Sequence, residues 1–125
     1  MRRSAVDGEG TRGVEGVVRL RRGEFVVHPV EITEAETAGT LRVQGSEQLS
    51  LPVDFVTIER EAFDAYLAGE PVDPISSVSA LDSPTARVEG RLPAGRYAFV
   101  LDNTRVGGAP PLDEVTVQLR AVLEF

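Results

Sequence analysis

Apolar residues recur at every second position through most of this chain, the spacing of strands rather than helices. Val14, Val17, Val18 and Leu20 open a β-branched run that stops at Arg22-Gly23. A second run, Glu24 to Thr33, follows at once, with Val26, His28, Val30 and Ile32 on one alternating set. The short glycine-containing break between them predicts a hairpin. Pro29 removes a backbone donor, which places the second strand at a sheet edge or a bulge. Thr40 to Gln44 predicts a short strand. Leu49 to Glu59 predicts a longer one, and Val56 and Ile58 make its far end apolar on both faces, as in a central strand. Thr85 to Leu92 and Arg96 to Leu101 follow, joined by the turn Pro93-Ala94-Gly95. The final strand sets Val115, Val117, Leu119, Ala121 and Leu123 against Thr116, Gln118, Arg120, Val122 and Glu124, a pattern with one wet face.

Three stretches depart from this period. Residues 1–13 are polar and glycine-rich and are expected to form a flexible lead-in to a single domain over 14–125. Glu59 to Ala68 (EREAFDAYLA) carries Phe63, Tyr66 and Leu67 at helical spacing, with Gly69 as a stop. So short a helix needs its aromatic face packed on the sheet. Gly69 to Pro84 is a long irregular segment rich in proline, serine and aspartate. The fold expected is all-β, an antiparallel two-sheet sandwich of about seven or eight strands with one short helix near 59–68. A closed barrel is the alternative, since strand spacing alone does not separate the two.

A chain of 125 residues is one domain's worth. Cysteine is absent, which removes disulfides, thiolate metal sites and cysteine nucleophiles together. The net charge is −7 and every basic residue other than His28 is an arginine. That balance repels phosphate backbones, and the one basic run, Arg19, Arg21 and Arg22, is flanked by acids, so nucleic acid is not an expected partner. No stretch approaches the ~20 apolar residues of a membrane span. Met1 to Arg12 lacks the apolar core of a signal peptide.

Candidate chemistry is sparse. His28 is the only histidine and reads as a half-buried strand residue. No serine lies in a G-x-S-x-G elbow, and Gly107 to Pro111 lacks the lysine and hydroxyl of a phosphate loop. The acids fall mostly on wet faces or in turns, and seven aromatic residues without tryptophan furnish little for stacking a sugar. Asp102, Asn103, Asp113 and Glu114 form the one cluster worth following. If the last two strands pair as a hairpin, they bracket one loop with hard oxygen ligands suited to Ca²⁺. Capping of turns by Asp and Asn is the competing role. The clean last strand would also offer an edge for pairing with a second copy, should it lie at an edge.

Three pieces of the sequence, between Val53 and the C-terminus, carry a family likeness: VDFVTIEREAFDAYLAGEP, with Phe63 and Tyr66 as anchors; LPAGRYAFVLDNT, ending in Asp102-Asn103-Thr104; and the amphipathic DEVTVQLRAVLEF. Together they resemble the GOLD domain, the lumenal β-sandwich of a group of cargo-receptor proteins, and more closely free-standing bacterial and archaeal GOLD-like domains. The cargo receptors carry a disulfide, a coiled coil and a membrane anchor, and none of the three is expected within these 125 residues. The resemblance implies a sandwich, an extracytoplasmic setting and a non-enzymatic protein-interaction or scaffolding role. The alternative function is a calcium-dependent or carbohydrate-binding accessory module of a larger system.

Overall fold

The structure is a computed structural model that describes residues 2–8, 10–104 and 110–125. It contains strands β1 (Arg2–Gly8), β2 (Thr11–Arg21), β3 (Phe25–Ile32), β4 (Ala38–Glu47) and β5 (Val53–Glu59). A short helix, α1 (Phe63–Leu67), follows, and then β6 (Ala80–Ser83), β7 (Thr85–Pro93), β8 (Gly95–Asp102) and β9 (Glu114–Glu124). They form two antiparallel sheets, one ordered β1-β2-β9-β4-β7 and the other β3-β8-β5-β6. The expected two-layer sandwich is the architecture found. With β1 set aside, β2-β9-β4-β7 opposite β3-β8-β5-β6 is the strand order of a jelly roll, two Greek keys wound together.

That winding explains where local pattern misleads. The break at Arg22-Gly23 is a corner between the sheets: β2 pairs with β1 and β9, whereas β3 pairs with β8. The corner is held by its own bonds. The Gly23 N–H donates to the Asn103 carbonyl at 3.0 Å, and the Arg21 N–H donates to Oε1 of Glu24 at 2.6 Å. Pro93-Ala94-Gly95 is a second corner, because β7 and β8 also lie in different sheets. The final strand is central, between β2 and β4, so it offers no free edge to a second copy. Residues 2–8 and 11–13, expected as a flexible lead-in, are strand. Their ladder with β2 and β9 supplies the order that their own polar pattern does not.

The interior between the sheets is filled by the alternating residues anticipated for it. Val18, Leu20, Leu41, Val43, Val117 and Leu119 of the first sheet meet Phe55, Phe99 and Leu101 of the second. β4 runs on through Gly45, past its expected end at Gln44, because that glycine makes room for an aromatic ring. A Cβ there would stand 2.5 Å from Cε2 of Phe55. Pro29 lies on β3, an edge strand, where its missing donor is tolerated.

β5 starts later than expected, at Val53 rather than Leu49. The chain before it turns around the buried carboxylate of Glu47, whose Oε1 accepts the N–H groups of Leu49 at 2.6 Å and Leu51 at 2.9 Å. The long 69–84 segment is likewise more ordered than its composition suggests. It contains a 3-10 turn at Ser76–Val78 and all of β6. Thr57 pins it with a hydroxyl bond to the Val78 carbonyl at 2.7 Å, while the Ile75 N–H reaches the Thr57 carbonyl at 2.8 Å.

The two outer faces differ. On the four-stranded sheet, Val56, Ile58, Ala98 and Val100 point outward but are buried beneath Tyr66, Phe63 and Val72. The helical segment, a 3-10 turn at Arg60–Ala62 running into α1, and the loop after it thus cap this sheet with a small second core. This is the packing demanded by the aromatic spacing, and it is why β5 is buried along nearly its whole length. Among the described residues, nothing caps the outer face of the five-stranded sheet in this way. No described helix is long and apolar enough to cross a membrane.

Candidate functional site

The uncapped face is built from the outward positions of β2, β9, β4 and β7. Register places Glu15, Arg120, Gln44 and Arg87 side by side in one row across four strands. The neighbouring row holds Val17, Gln118, Ser46 and Thr85. A concavity of about 490 Å³ lies over these rows, lined by Glu15, Gln44, Ser46, Arg87, Gln118 and Arg120. Some charges of the face are matched in place: in the concavity Arg120 pairs with Glu15 at 3.3 Å, and beside it Arg42 pairs with Glu89 at 3.0 Å and with Glu124 at 3.7 Å. Arg87 and Gln44 make no side-chain hydrogen bond or ion pair among the described residues, and both are exposed.

Six arginines (Arg19, Arg21, Arg42, Arg87, Arg91, Arg120) face outward on these strands against four glutamates (Glu15, Glu89, Glu114, Glu124). The face is therefore locally basic in a chain of net charge −7. The acidic balance lies elsewhere, much of it on the opposite cap, where Glu59, Glu61, Asp64, Glu70 and Asp73 outnumber Arg60. Guanidinium groups flanked by amides and hydroxyls suit carboxylates and backbone carbonyls of a polar partner. No aromatic side chain occupies an outward position on these four strands, so the face has no platform for stacking a sugar ring.

A second polar group is sealed beneath the cap. Asp54 of β5 and Asp102 of β8 are directly opposite in the ladder, and the two residues are 0% and 2% exposed. Asp102 accepts the Tyr66 hydroxyl from α1 and, at 2.7 Å, the N–H of Thr104. Asp54 accepts the N–H of Asp82 at 2.7 Å and so holds that residue at φ +49°. Burial raises the Tyr66 hydroxyl far above its ordinary value, and the charge and hydrogen bond of Asp102 raise it further. Tyr66 therefore stays protonated and donates. Neither aspartate lines the described clefts. These groups fasten the cap to the sheet.

The four residues considered for calcium lie near one end of the sandwich but serve separate tasks. β8 and β9 do not form a hairpin; they belong to different sheets. Asp102 points under the cap to Tyr66. Asn103 is buried and ties three segments together, donating to the carbonyls of Arg21 at 3.0 Å and Leu112 at 2.8 Å and accepting the Leu112 N–H at 3.0 Å. Asp113 reaches Arg22 at 2.9 Å, and Glu114 reaches Arg19 at 3.6 Å. No three His, Cys, Asp or Glu among the described residues come together as a metal-holding group. The turn-capping role of Asn103 is the one observed.

His28 is half-buried on β3 with its ring stacked on Phe99, centroids 6.4 Å apart and planes 9° from parallel. Most of the Gly107 to Pro111 loop lies outside the described residues. The outward row on the five-stranded sheet was not singled out from sequence, because strands adjacent in space are distant along the chain. Asp54 did carry a signal. It shares parity with Val56 and Ile58 in VDFVTIE, so an acid there must be buried if they are. No protein-family model matches the chain, and a search of curated proteins finds no match.

Proposed function

We propose that this chain is a non-enzymatic recognition module, a GOLD-like sandwich that docks a protein partner on the outer face of its five-stranded sheet. The observation that carries this reading is the asymmetry of the faces. One sheet is closed by its own helix and loop, whereas the other presents a concave row of Glu15, Arg120, Gln44 and Arg87 with no covering element among the described residues. The local excess of arginine favours an acidic or carbonyl-rich segment of the partner. The absence of aromatic side chains from this face favours protein over carbohydrate. The likeness of the Val53-to-C-terminus pieces to GOLD-like domains agrees with a scaffolding role.

The reading is tested by recovering the tagged chain from cells of its source with its bound protein, and repeating this with Gln44→Glu and Arg87→Glu combined. Both positions are exposed, so the fold is expected to persist. A protein retained by the unmodified chain and lost by the variant is the expected result. Retention of the same protein by both would place the docking surface elsewhere.

A further inference from the structure

The two sheets are unequal, five strands against four, and the interior opens beside the edge strand β3. A cavity of about 280 Å³ enters the sandwich there, between β2 and β9 on one side and β3 and β8 on the other. Its walls are Val14, Val30, Leu41, Phe99, Ala121 and Leu123, and Leu41 and Phe99 are core residues at 1% and 0% exposure. This is a different place from the polar row on the outer face. It is apolar in its depth and charged at its mouth.

The mouth is formed by Arg12, His28 and Glu31. Arg12 spans it: Nη2 donates to the Glu31 carbonyl at 2.9 Å and to Oε1 of Glu36 at 3.2 Å, and the guanidinium sits 4.6 Å from the centroid of the Phe125 ring. A guanidinium has five N–H donors, and the two bonds that hold Arg12 both leave from Nη2. A planar acceptor arriving at the mouth therefore meets a guanidinium fork already held in place, the arrangement that favours a carboxylate. His28, flat against Phe99, lines the same opening.

We propose that this cavity is a binding site for a small amphipathic carboxylic acid, its apolar body between the sheets and its carboxylate on Arg12. The volume lies just below the usual range for small-molecule sites, which limits the ligand to about ten non-hydrogen atoms. Straight-chain or simple aromatic acids meet that limit. Nothing here depends on the outer-face reading, because the two sites share no lining residue.

Hexanoate is the probe, with 1-hexanol as its uncharged counterpart. Titration calorimetry is run alongside methyl NMR of the unmodified chain. Saturable binding of hexanoate that shifts the methyls of Val14, Val30, Ala121 and Leu123 is expected, with hexanol weaker. Arg12→Gln should weaken hexanoate by roughly tenfold through loss of a charge-assisted bond, and leave hexanol unchanged. Ala121→Leu, which fills the cavity from β9, should abolish both. If that variant fails to fold, the methyl shifts of the unmodified chain still locate the site. Absence of those shifts at about 10 mM hexanoate overturns the proposal. So does equal affinity for hexanol, or indifference of hexanoate binding to Arg12→Gln.

Discussion

Glu47 shows how a single buried acid organises a stretch that periodicity misassigns. Its two oxygens gather the N–H groups of Leu49, Leu51 and Thr116, joining β4, the approach to β5 and β9. Burial alone would raise its carboxyl, but the backbone donors outweigh it and hold the group below the usual range. A carboxyl lowered on folding stabilises the fold above its unfolded value of 4.5 and ceases to do so as pH falls through the folded one. Glu47→Gln should therefore cost about 1–3 kcal/mol at neutral pH, and that difference should shrink near pH 3. Urea midpoints of both proteins at the two pH values measure this. A gap that did not change with pH would mean the carboxylate charge is irrelevant. This role is not legible in the sequence, because it depends on a donor brought in from Thr116, far along the chain.

At the scale of elements, strands were legible and their partners were not. The alternation in Val115 to Leu123 and the aromatic spacing at Phe63, Tyr66 and Leu67 correspond to β9 and α1 because a strand and a helix each repeat within a few residues. Sheet membership has no such local signature. Arg22-Gly23 and Pro93-Ala94-Gly95 carry turn chemistry that serves a hairpin or a corner equally well. Strand β1 has little apolar pattern of its own and is ordered through its ladder with β2. The cap on β5 and β8 illustrates the reverse: its helix was expected, but the clamp of Tyr66 on Asp102 was not, because an acid in a strand ordinarily marks the wet face. Tyr66→Phe removes the hydroxyl and keeps the ring. It should lower stability by about 1–3 kcal/mol and speed hydrogen exchange at the Ala68 and Gly69 amides, which close α1. Unaltered exchange there would show that apolar packing alone holds the cap.

For the whole molecule, the jelly-roll winding leaves four sheet edges and two broad faces, with unequal exposure. β6 is only four residues long and joins β5 across a bulge, and β3 is interrupted by Pro29; both are features that discourage strand addition. The second face is capped. What remains broad, exposed and chemically distinct is the arginine-bearing face of the five-stranded sheet, with the acidic cap on the other side of the sandwich. Because the chain has no cysteine, a single engineered one provides a unique handle for finding what covers that face. Gln44→Cys, carrying a short photo-cross-linker and returned to source-cell extract, is the most direct test, with Asp64→Cys on the cap as its control. The outer-face account requires a discrete protein adduct from position 44 and none from position 64; adducts of equal yield from both, or from 64 alone, would contradict it.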